Sequence, residues 1–440
     1  MTNNLSDFQT ILWPAVKTSN VGFYKKPSAG FASGSVISAP FTRSGAGRKV
    51  IDASGNLVDA AANVPAWTFP IGGSSSGCPY LSFLPSVENL LTYSEDFTTT
   101  WSTAASASVT ANTVTSPDGT TNADTISLAA VTASRVFQLF TLANSTTYTL
   151  GCFFKNDSLS AGETFIFQIN NGQIAPNNFE MVATVDLAQG TVVISEVGTA
   201  GTGISGTATG GIVPIIDGWY FVYVTATTGT GAGTASAGVQ IISSNARQFY
   251  AWGAMLKEGS YISPLDYVPT TTAAVTRSVD RVTNITDLQT DGYLPTDTEG
   301  SIMLQLSSTG DVAGGFEQFL FRDGSSNIQF KILFANNAGV LYNQLNTENM
   351  VSLAEKELAR YIITWNGTAL NLYYNGFLAY SYTHSSSLSV VQFINAFTRA
   401  SNGLDIKMLN FAPTALTANQ AEAASSWPSF ELMATDLNYN

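Results

Sequence analysis

The stretch ENLLTYSEDFTTTW, residues 88–101, sets two carboxylates side by side, Glu95 and Asp96, among aromatic residues. Paired carboxylic acids are the minimum equipment for glycoside hydrolysis, with the two groups about 5 to 9.5 Å apart across the scissile bond. Neighbours on an extended strand point to opposite faces, so Glu95 and Asp96 cannot flank one bond if the stretch is extended. A pair assembled from acids distant in sequence would satisfy the same requirement and stays open. Nucleophilic catalysis with an imidazole base has one candidate, His384 in YSYTHSSSL, the single histidine of the chain. Its Ser-rich surroundings read as a surface turn, and no G-x-S-x-G elbow supplies a nucleophile. Metal centres built from His and Cys are excluded by number, whereas oxygen-ligated calcium in loops stays open. The two cysteines, Cys78 and Cys152, read as buried thiols, and their spacing fixes no pairing. GTGISG, residues 201–206, matches the phosphate-cradling G-x-G-x-x-G, but TATGG follows where a helix would have to start. Trp219, Trp252 and Trp365 lie in aromatic-rich runs whose rings can stack on the C–H faces of sugars, although in a β protein such rings usually fill the core. No catalytic residue, ligand-binding residue or metal ligand is therefore assigned, and no cofactor is expected apart from loop-bound calcium.

The elements that would hold such groups are indicated by composition. Of 440 residues, 45% are hydrophobic and only 11% are charged, so the surface is built from Ser, Thr, Asn, Gly and Ala. Helices usually need Glu, Lys and Arg on their outer faces, and their scarcity implies a mainly β protein. The length exceeds what one core supports, giving two or three domains. A net charge of -13 argues against nucleic acid as a partner. No run of about 18 apolar residues suggests membrane insertion, and the first residues lack the basic start and apolar segment of a secretory signal. Residues 1–89 hold six basic side chains (Lys17, Lys25, Lys26, Arg43, Arg48, Lys49) against four acids, a mildly basic leader suited to docking on an acidic partner or simply to solubility.

Patterning divides the chain. Residues 1–87 are irregular, with short apolar runs between Gly and Ser clusters that could hardly close a core alone, and read as an attachment region draped over the next domain or ordered by a neighbouring subunit. Residues 88–281 carry strand-length runs such as TYTLGCFFK, ATVDLAQGTVVISEV, GWYFVYVTAT and AGVQIISS, spaced as in a sandwich. The Gly- and Thr-rich tracts GTAGTGISGTATGG and TTGTGAGTASAG between them read as loops or exposed hairpin ends. After a linker at 282–297, residues 298–425 form a second β unit, followed by a tail at 426–440. Asp323-Gly324, Asn366-Gly367 and Asn375-Gly376 each predict a tight hairpin, the last two joining three consecutive antiparallel strands. Two short helices are expected, one at LTANQAEAA through Thr417 and Gln420 and one at VSLAEKELAR through Ser352 and Glu355. The fold class is thus mainly β, two antiparallel β-sandwich (jelly-roll) domains after an irregular N-terminal region.

Particular motifs add a resemblance. FTRSGAGRKVIDASGNLVDAAANVPAW followed by CPYLSFLPSVENLLTYSEDFTTTW resembles the recurrent leader of tailed-phage structural proteins, through Arg43, Gly55, Asn63, Pro65, Asn89, Leu90, Leu91, Ser94 and Phe97. The chain departs from that pattern at Ala66 and Val87. SPDGTTNADTI, DGWYFVYV and FYAWGAMLKEGSYISPLDYVPTTTAAVTRSVD resemble a carbohydrate-binding-module-like jelly roll of phage appendages. TEGSIMLQL, RYIITWNGTALNLYYNG and LDIKMLNFAPTALTANQ are similar to concanavalin A-like, laminin G-like lectin domains. The resemblance implies a virion appendage, a head or tail fibre, spike or decoration, made in the bacterial host cytoplasm and joined to other virion proteins through the N-terminal region. It also implies self-association, commonly as a homotrimer, and adhesion to host glycans without catalysis. A polysaccharide depolymerase and a purely structural decoration protein are the alternatives. On this reading Leu90, Leu91, Phe97 and Trp101 open the first core, while Glu95 and Asp96 are polar groups at its boundary.

Overall fold

The computed structural model of the chain describes residues 10–13, 20–25, 36–43, 47–72, 79–234, 236–260, 262–282, 288–289, 294, 296–309, 317–335, 338–343, 349–354, 360–397 and 403–426. It is mainly β, built from antiparallel sheets. Two six-stranded sheets face each other between residues 102 and 258. The first runs Ser108–Val114, Ala123–Leu128, Arg247–Glu258, Thr147–Asn156, Trp219–Thr228, Ile204–Pro214 in spatial order. The second runs Thr191–Gly198, Phe179–Asp186, Phe165–Asn170, Ser236–Ser243, Ser134–Thr141, Ser102–Ala104. Alternation explains their packing. Along Thr191–Gly198 exposed and half-buried residues alternate strictly, and the inward rows of both sheets, including Phe154, Phe165, Phe167 and Phe249, make one core. Leu91, Phe97 and Trp101 join that core and Leu90 packs against it, as the boundary reading expects.

In the C-terminal unit, Gly403–Ala412, Glu299–Thr309, Arg360–Asn366, Ala369–Tyr374 and Phe377–Thr383 lie side by side. A five-stranded sheet accompanies them, with Gln392–Phe397, Glu317–Arg322 and Ile328–Ala335 consecutive in it, and Phe321, Phe330, Phe393 and Trp365 share the core. The three predicted hairpins form, each with its own turn chemistry. Asn375 and Gly376 both take positive φ, 48° and 87°, between the paired residues Tyr374 and Phe377, the arrangement a primed turn requires. At the preceding hairpin the two turn residues are Gly367 and Thr368 rather than Asn366 and Gly367, because Asn366 already pairs with Ala369 and only Gly367 has positive φ, 59°. At Asp323 the loop extends to Asn327, its left-handed residue is Ser326 at φ 69°, and the Asp323 carboxylate accepts from Ser325 N and Asn327 N, each at 2.9 Å.

Two local expectations are corrected. Asn349–Ala354 is a strand, so Ser352 caps no helix there, its segment being recruited by pairing with Ala338–Asn343, while Glu355 lies outside the described residues. Ile204–Pro214, most of which lies in the Gly-rich tract read as a loop or exposed hairpin end, is an edge strand on Trp219–Thr228. A Cβ at Gly210 would stand 2.3 Å from Tyr223 O, so this Gly permits the close approach of two backbones. The other helix forms as expected, Ala418–Ser425, with Thr417 and Gln420 in a reciprocal capping box.

The leader is woven into both units. Thr10–Trp13, Asn20–Lys25 and Val36–Thr42 extend the large C-terminal sheet beyond Gly403–Ala412. Phe41, Leu81 and Phe83 enter the C-terminal core, whereas Ile51, Leu57 and Leu84 enter a separate cluster with Phe153, Trp219, Phe221, Trp252 and Tyr267. That cluster lies on the outer side of the first sheet, so residues 51–71 cover the face turned away from the sandwich core.

Candidate functional site

Three places concentrate polar chemistry. The first is an ion network where the leader meets the exit of the first sandwich. Asp280 receives Arg43 Nη1 at 3.0 Å, Arg48 Nη1 at 3.4 Å and Arg277 Nη1 at 4.0 Å, and Asp266 receives Arg277 Nη2 at 3.1 Å, all with side chains 0% exposed. Burial lowers the Arg277 guanidinium pKa to about 10, with Asp266 and Asp280 opposing the shift, and burial likewise lowers those of Arg43 and Lys257. Lys49 is also buried, paired with Asp59 at 3.1 Å and seated over the rings of Trp252 and Tyr267. Arg43, Arg48 and Lys49 are therefore not the exposed basic surface expected of the leader; they are internal, because their partners lie inside the chain. The side chain of Lys25 and all of Lys17 and Lys26 lie outside the described residues.

Four residues of the leader motif, Arg43, Asn63, Asn89 and Ser94, lie at or beside this junction. Asn63 Oδ1 accepts from Arg43 N at 3.0 Å. Asn89 donates to Ala254 O and Val268 O and accepts from Leu91 N and Leu256 N, so all its amide capacity is spent joining the sandwich entry to its exit. Ser94 Oγ meets Tyr267 Oη at 2.8 Å and accepts from Thr270 N. Beside them, Glu95 accepts from Tyr267 Oη at 3.1 Å; burial raises its pKa against the pull of Lys49 and of that hydrogen bond. Asp96 instead caps a turn, accepting from Thr98 N at 2.9 Å. Burial of Asp96 is outweighed by hydrogen bonds from Thr98 and Thr99, which hold its pKa low. The adjacent acids thus have separate partners and separate environments.

The remaining sequence candidates resolve individually. His384 is buried, not exposed: its ring stands edge-on to Tyr382, and its backbone N–H donates to Thr368 O across the hairpin; burial lowers the imidazole pKa. Trp219, Trp252 and Trp365 are fully buried core residues. Cys152 is a buried free thiol whose pKa burial pushes well up, and Cys78 lies outside the described residues. In GTGISG a strand begins at Ile204, leaving no helix start for a phosphate. Among the described residues no three His, Cys, Asp or Glu side chains converge as a metal-ligand set.

The second place is the outer face of the other sandwich sheet, which the described residues of the leader do not cover. Strand register aligns Phe137, Gln240, Gln168, Val182 and Ser195 in one row across it. A flanking row contains Arg135, Ile242, Ile166, Thr184 and Val193, and another Leu139, Gly238, Asn170, Glu180 and Val197. Leu139 is 62% exposed and Val193 67%, so apolar surface lies open to water here. The Arg135 guanidinium sits 5.2 Å over the Phe137 ring, and its Nε has no hydrogen-bond partner among the described residues. Gln168 Nε2 donates to Gln240 Oε1 at 3.3 Å, and Asn170 Nδ2 to Glu180 Oε1 at 2.8 Å. Burial raises the Glu180 pKa against that bond. The face combines an aromatic ring, aliphatic side chains and amides fixed on rigid strands, which suits it to a ligand bearing both C–H faces and hydroxyls. Sequence reading missed it because Val136, Phe137, Leu139 and Phe140 form an apolar run in which alternation does not distinguish inward from outward.

The third is a recess of about 300 Å³ at one end of the sandwich, bordered by Ser127, Leu128, Ser158, Leu159, Glu163 and Arg247 among others.

No known family profile matches the chain, and no curated protein matches it. Among solved structures, one reported under the finding that cell entry of botulinum neurotoxin type C depends on interaction with two ganglioside molecules is similar at 13% identity and a TM-score of 0.26, over 34% of this chain and 41% of that one. The LG1-3 region of the laminin alpha2 chain is similar at 9% identity and a TM-score of 0.17, over 66% of each chain. Overlaps this distant carry no functional argument.

Proposed function

We propose that this chain is a non-catalytic glycan-binding protein of a tailed-phage particle, displayed as a head or tail fibre or spike, with the uncovered sheet face of the first sandwich as its adhesive surface. The observation that carries the glycan reading is the pair Phe137–Gln240, half-buried on the outer face and flanked by Arg135 and the exposed Leu139, with the buried Gln168 holding the Gln240 amide. Rings and aliphatic groups there match the apolar faces of sugars, and fixed amides match their hydroxyls. The virion reading rests on the leader motif and on the resemblance of the first sandwich to a jelly roll of phage appendages. Single-site affinity for such a ligand is modest, so multimeric display, commonly trimeric in such appendages, would raise avidity through effective concentration.

The test is retention of purified full-length chain on immobilised host capsule or cell-wall polysaccharide, compared with Phe137→Ala and Gln240→Ala. Retention that falls about tenfold or more in both variants supports the face. Undiminished retention removes it, and release of new reducing ends from the polysaccharide favours a depolymerase. Lack of any retention at high protein concentration leaves the purely structural decoration role. Antibody labelling of intact particles decides the virion assignment and its head or tail position.

A further inference from the structure

The recess at the end of the first sandwich is not part of the open sheet face, yet it lies beside it. Arg247 Nε donates to Thr164 O at 3.0 Å, and Ile166, two residues on, belongs to the row that also contains Arg135 and Ile242. The backbone of Thr164 thus joins Arg247 to the strand that carries Ile166.

The recess has a composition of its own. Leu128 and Leu159, both members of the sandwich core, line it with apolar surface. Ser127, Ser158, Glu163 and Gln248 supply hydroxyl, carboxylate and amide groups around them. These groups are held in place before any ligand arrives. Gln248 Nε2 donates to Asp157 Oδ2 at 2.7 Å, and its Oε1 accepts from Ser127 Oγ at 3.3 Å, so the amide cannot flip without losing both bonds. Tyr250 Oη holds the other Asp157 oxygen at 2.6 Å. Arg247 is committed to Glu163 at 3.3 Å and to two backbone carbonyls. Its charge is thereby spent, and Asp157, which has no ion pair among the described residues, adds a carboxylate close by.

We infer that this recess is a second subsite, which takes a neutral sugar ring at the end of a glycan chain. An apolar lining with a polar rim fits a pyranose, which presents C–H on its faces and hydroxyls around its edge. The volume, near the lower bound for small-ligand sites, suits one ring and not an oligosaccharide. The local excess of acid disfavours uronic and sialic acids. This inference rests on the glycan-binding reading above but concerns different residues.

The test is ligand-observed saturation-transfer NMR on the full-length chain with glucose, galactose, N-acetylglucosamine and glucuronate offered separately. Two exposed positions are varied: Ser158→Tyr, which fills the recess, and Gln248→Ala, which removes its fixed amide. Phe137→Ala is the sheet-face control, and equal thermal midpoints check that each variant is folded. Transfer to at least one neutral sugar and none to glucuronate is expected, falling about tenfold or more in Ser158→Tyr and Gln248→Ala but unchanged in Phe137→Ala. Transfer that survives Ser158→Tyr, or that appears for glucuronate alone, or no transfer to any sugar, overturns the recess. Loss of polysaccharide retention in Phe137→Ala is scored separately, so the open face and the recess fail independently.

Discussion

Replacing Asp280 by asparagine keeps the shape of the side chain and removes the charge that three buried guanidiniums share. Asp266 still faces Arg277 at 3.1 Å in such a variant, leaving Arg43 and Arg48 as the cations without a carboxylate. Stripping one partner from a buried ion pair costs about 3 to 5 kcal/mol, because the remaining charge stays desolvated. The asparagine oxygen still accepts a hydrogen bond from one guanidinium, so the lower figure, about 3 kcal/mol, is expected. At about 1.4 kcal/mol per tenfold, the leader would open roughly a hundredfold more often. Global denaturation of a chain with several cores is not two-state and would blur this number. Hydrogen exchange at the leader reads it directly, through Asn63 N, which donates to Arg43 O, and Ser82 N, which donates to Ala66 O. Amides of Thr147–Asn156, in the middle of the first sheet, serve as the reference. Exchange roughly a hundredfold faster at Asn63 and Ser82, with the reference unchanged, is the expected outcome. Adding Arg43→Met removes one stranded cation and should recover part of the loss, giving a coupling of about 0.5 to 3 kcal/mol. Unaltered exchange in the single variant, or additive effects in the double, would refute the idea that this network fastens the leader.

Three further outcomes follow from buried groups. A Cβ on Gly300 would stand 2.5 Å from the Trp365 ring, so Gly300→Ala should cost about 1 to 3 kcal/mol by overpacking, seen as a lower thermal midpoint. His384 is held neutral by burial, so its folded pKa lies below the unfolded value. Its contribution is therefore present above about pH 6.5 and lost as pH falls through the folded pKa; the urea midpoint should drop more between pH 7 and pH 5 than in His384→Gln, and equal drops would contradict this. In a Cys78→Ser background, Cys152 should resist iodoacetamide until the sandwich unfolds, because its thiol is buried and its pKa pushed well up; labelling under native conditions at the rate of a free thiol would count against the packing described.

How much of this was legible depends on how local each signal is. The hairpin around Asn375-Gly376 was readable because turn chemistry is set by two adjacent residues, and the mainly β class was readable because scarce charge leaves helices without outer faces. The capping box at Thr417 was equally local. The fate of Arg43 was not, since its partner Asp280 lies 237 residues away and nothing near Arg43 announces a carboxylate. Serines around His384 suggested a surface, but Tyr382 and the backbone of Thr368, brought in by strand pairing, bury it. The open sheet face was hidden for a related reason: Phe137 and Leu139 look like core residues until the register shows that Val136 points inward and they do not.

The leader's role as a cover makes a boundary at residue 88 costly. Ile51 and Leu57 pack with Trp219, Phe221, Trp252 and Tyr267 in one cluster, with Phe69 and Ile71 against it. Lys49 stands over two of those rings. A chain beginning at residue 88 would lose all of these at once. Large aromatic side chains bury about 150 to 250 Å² each, so uncovering roughly half of each of the four rings exposes on the order of 300 to 500 Å². That matches the largest apolar patch a soluble monomer ordinarily shows, and it would be added to the open face already present on the opposite sheet. The 88–281 fragment should therefore bind a hydrophobic dye and self-associate, whereas the full-length chain should do so less. A monomeric 88–281 fragment with no dye binding would mean that the leader is dispensable to the sandwich, and that Trp252 and Tyr267 are protected by residues 262–268 alone.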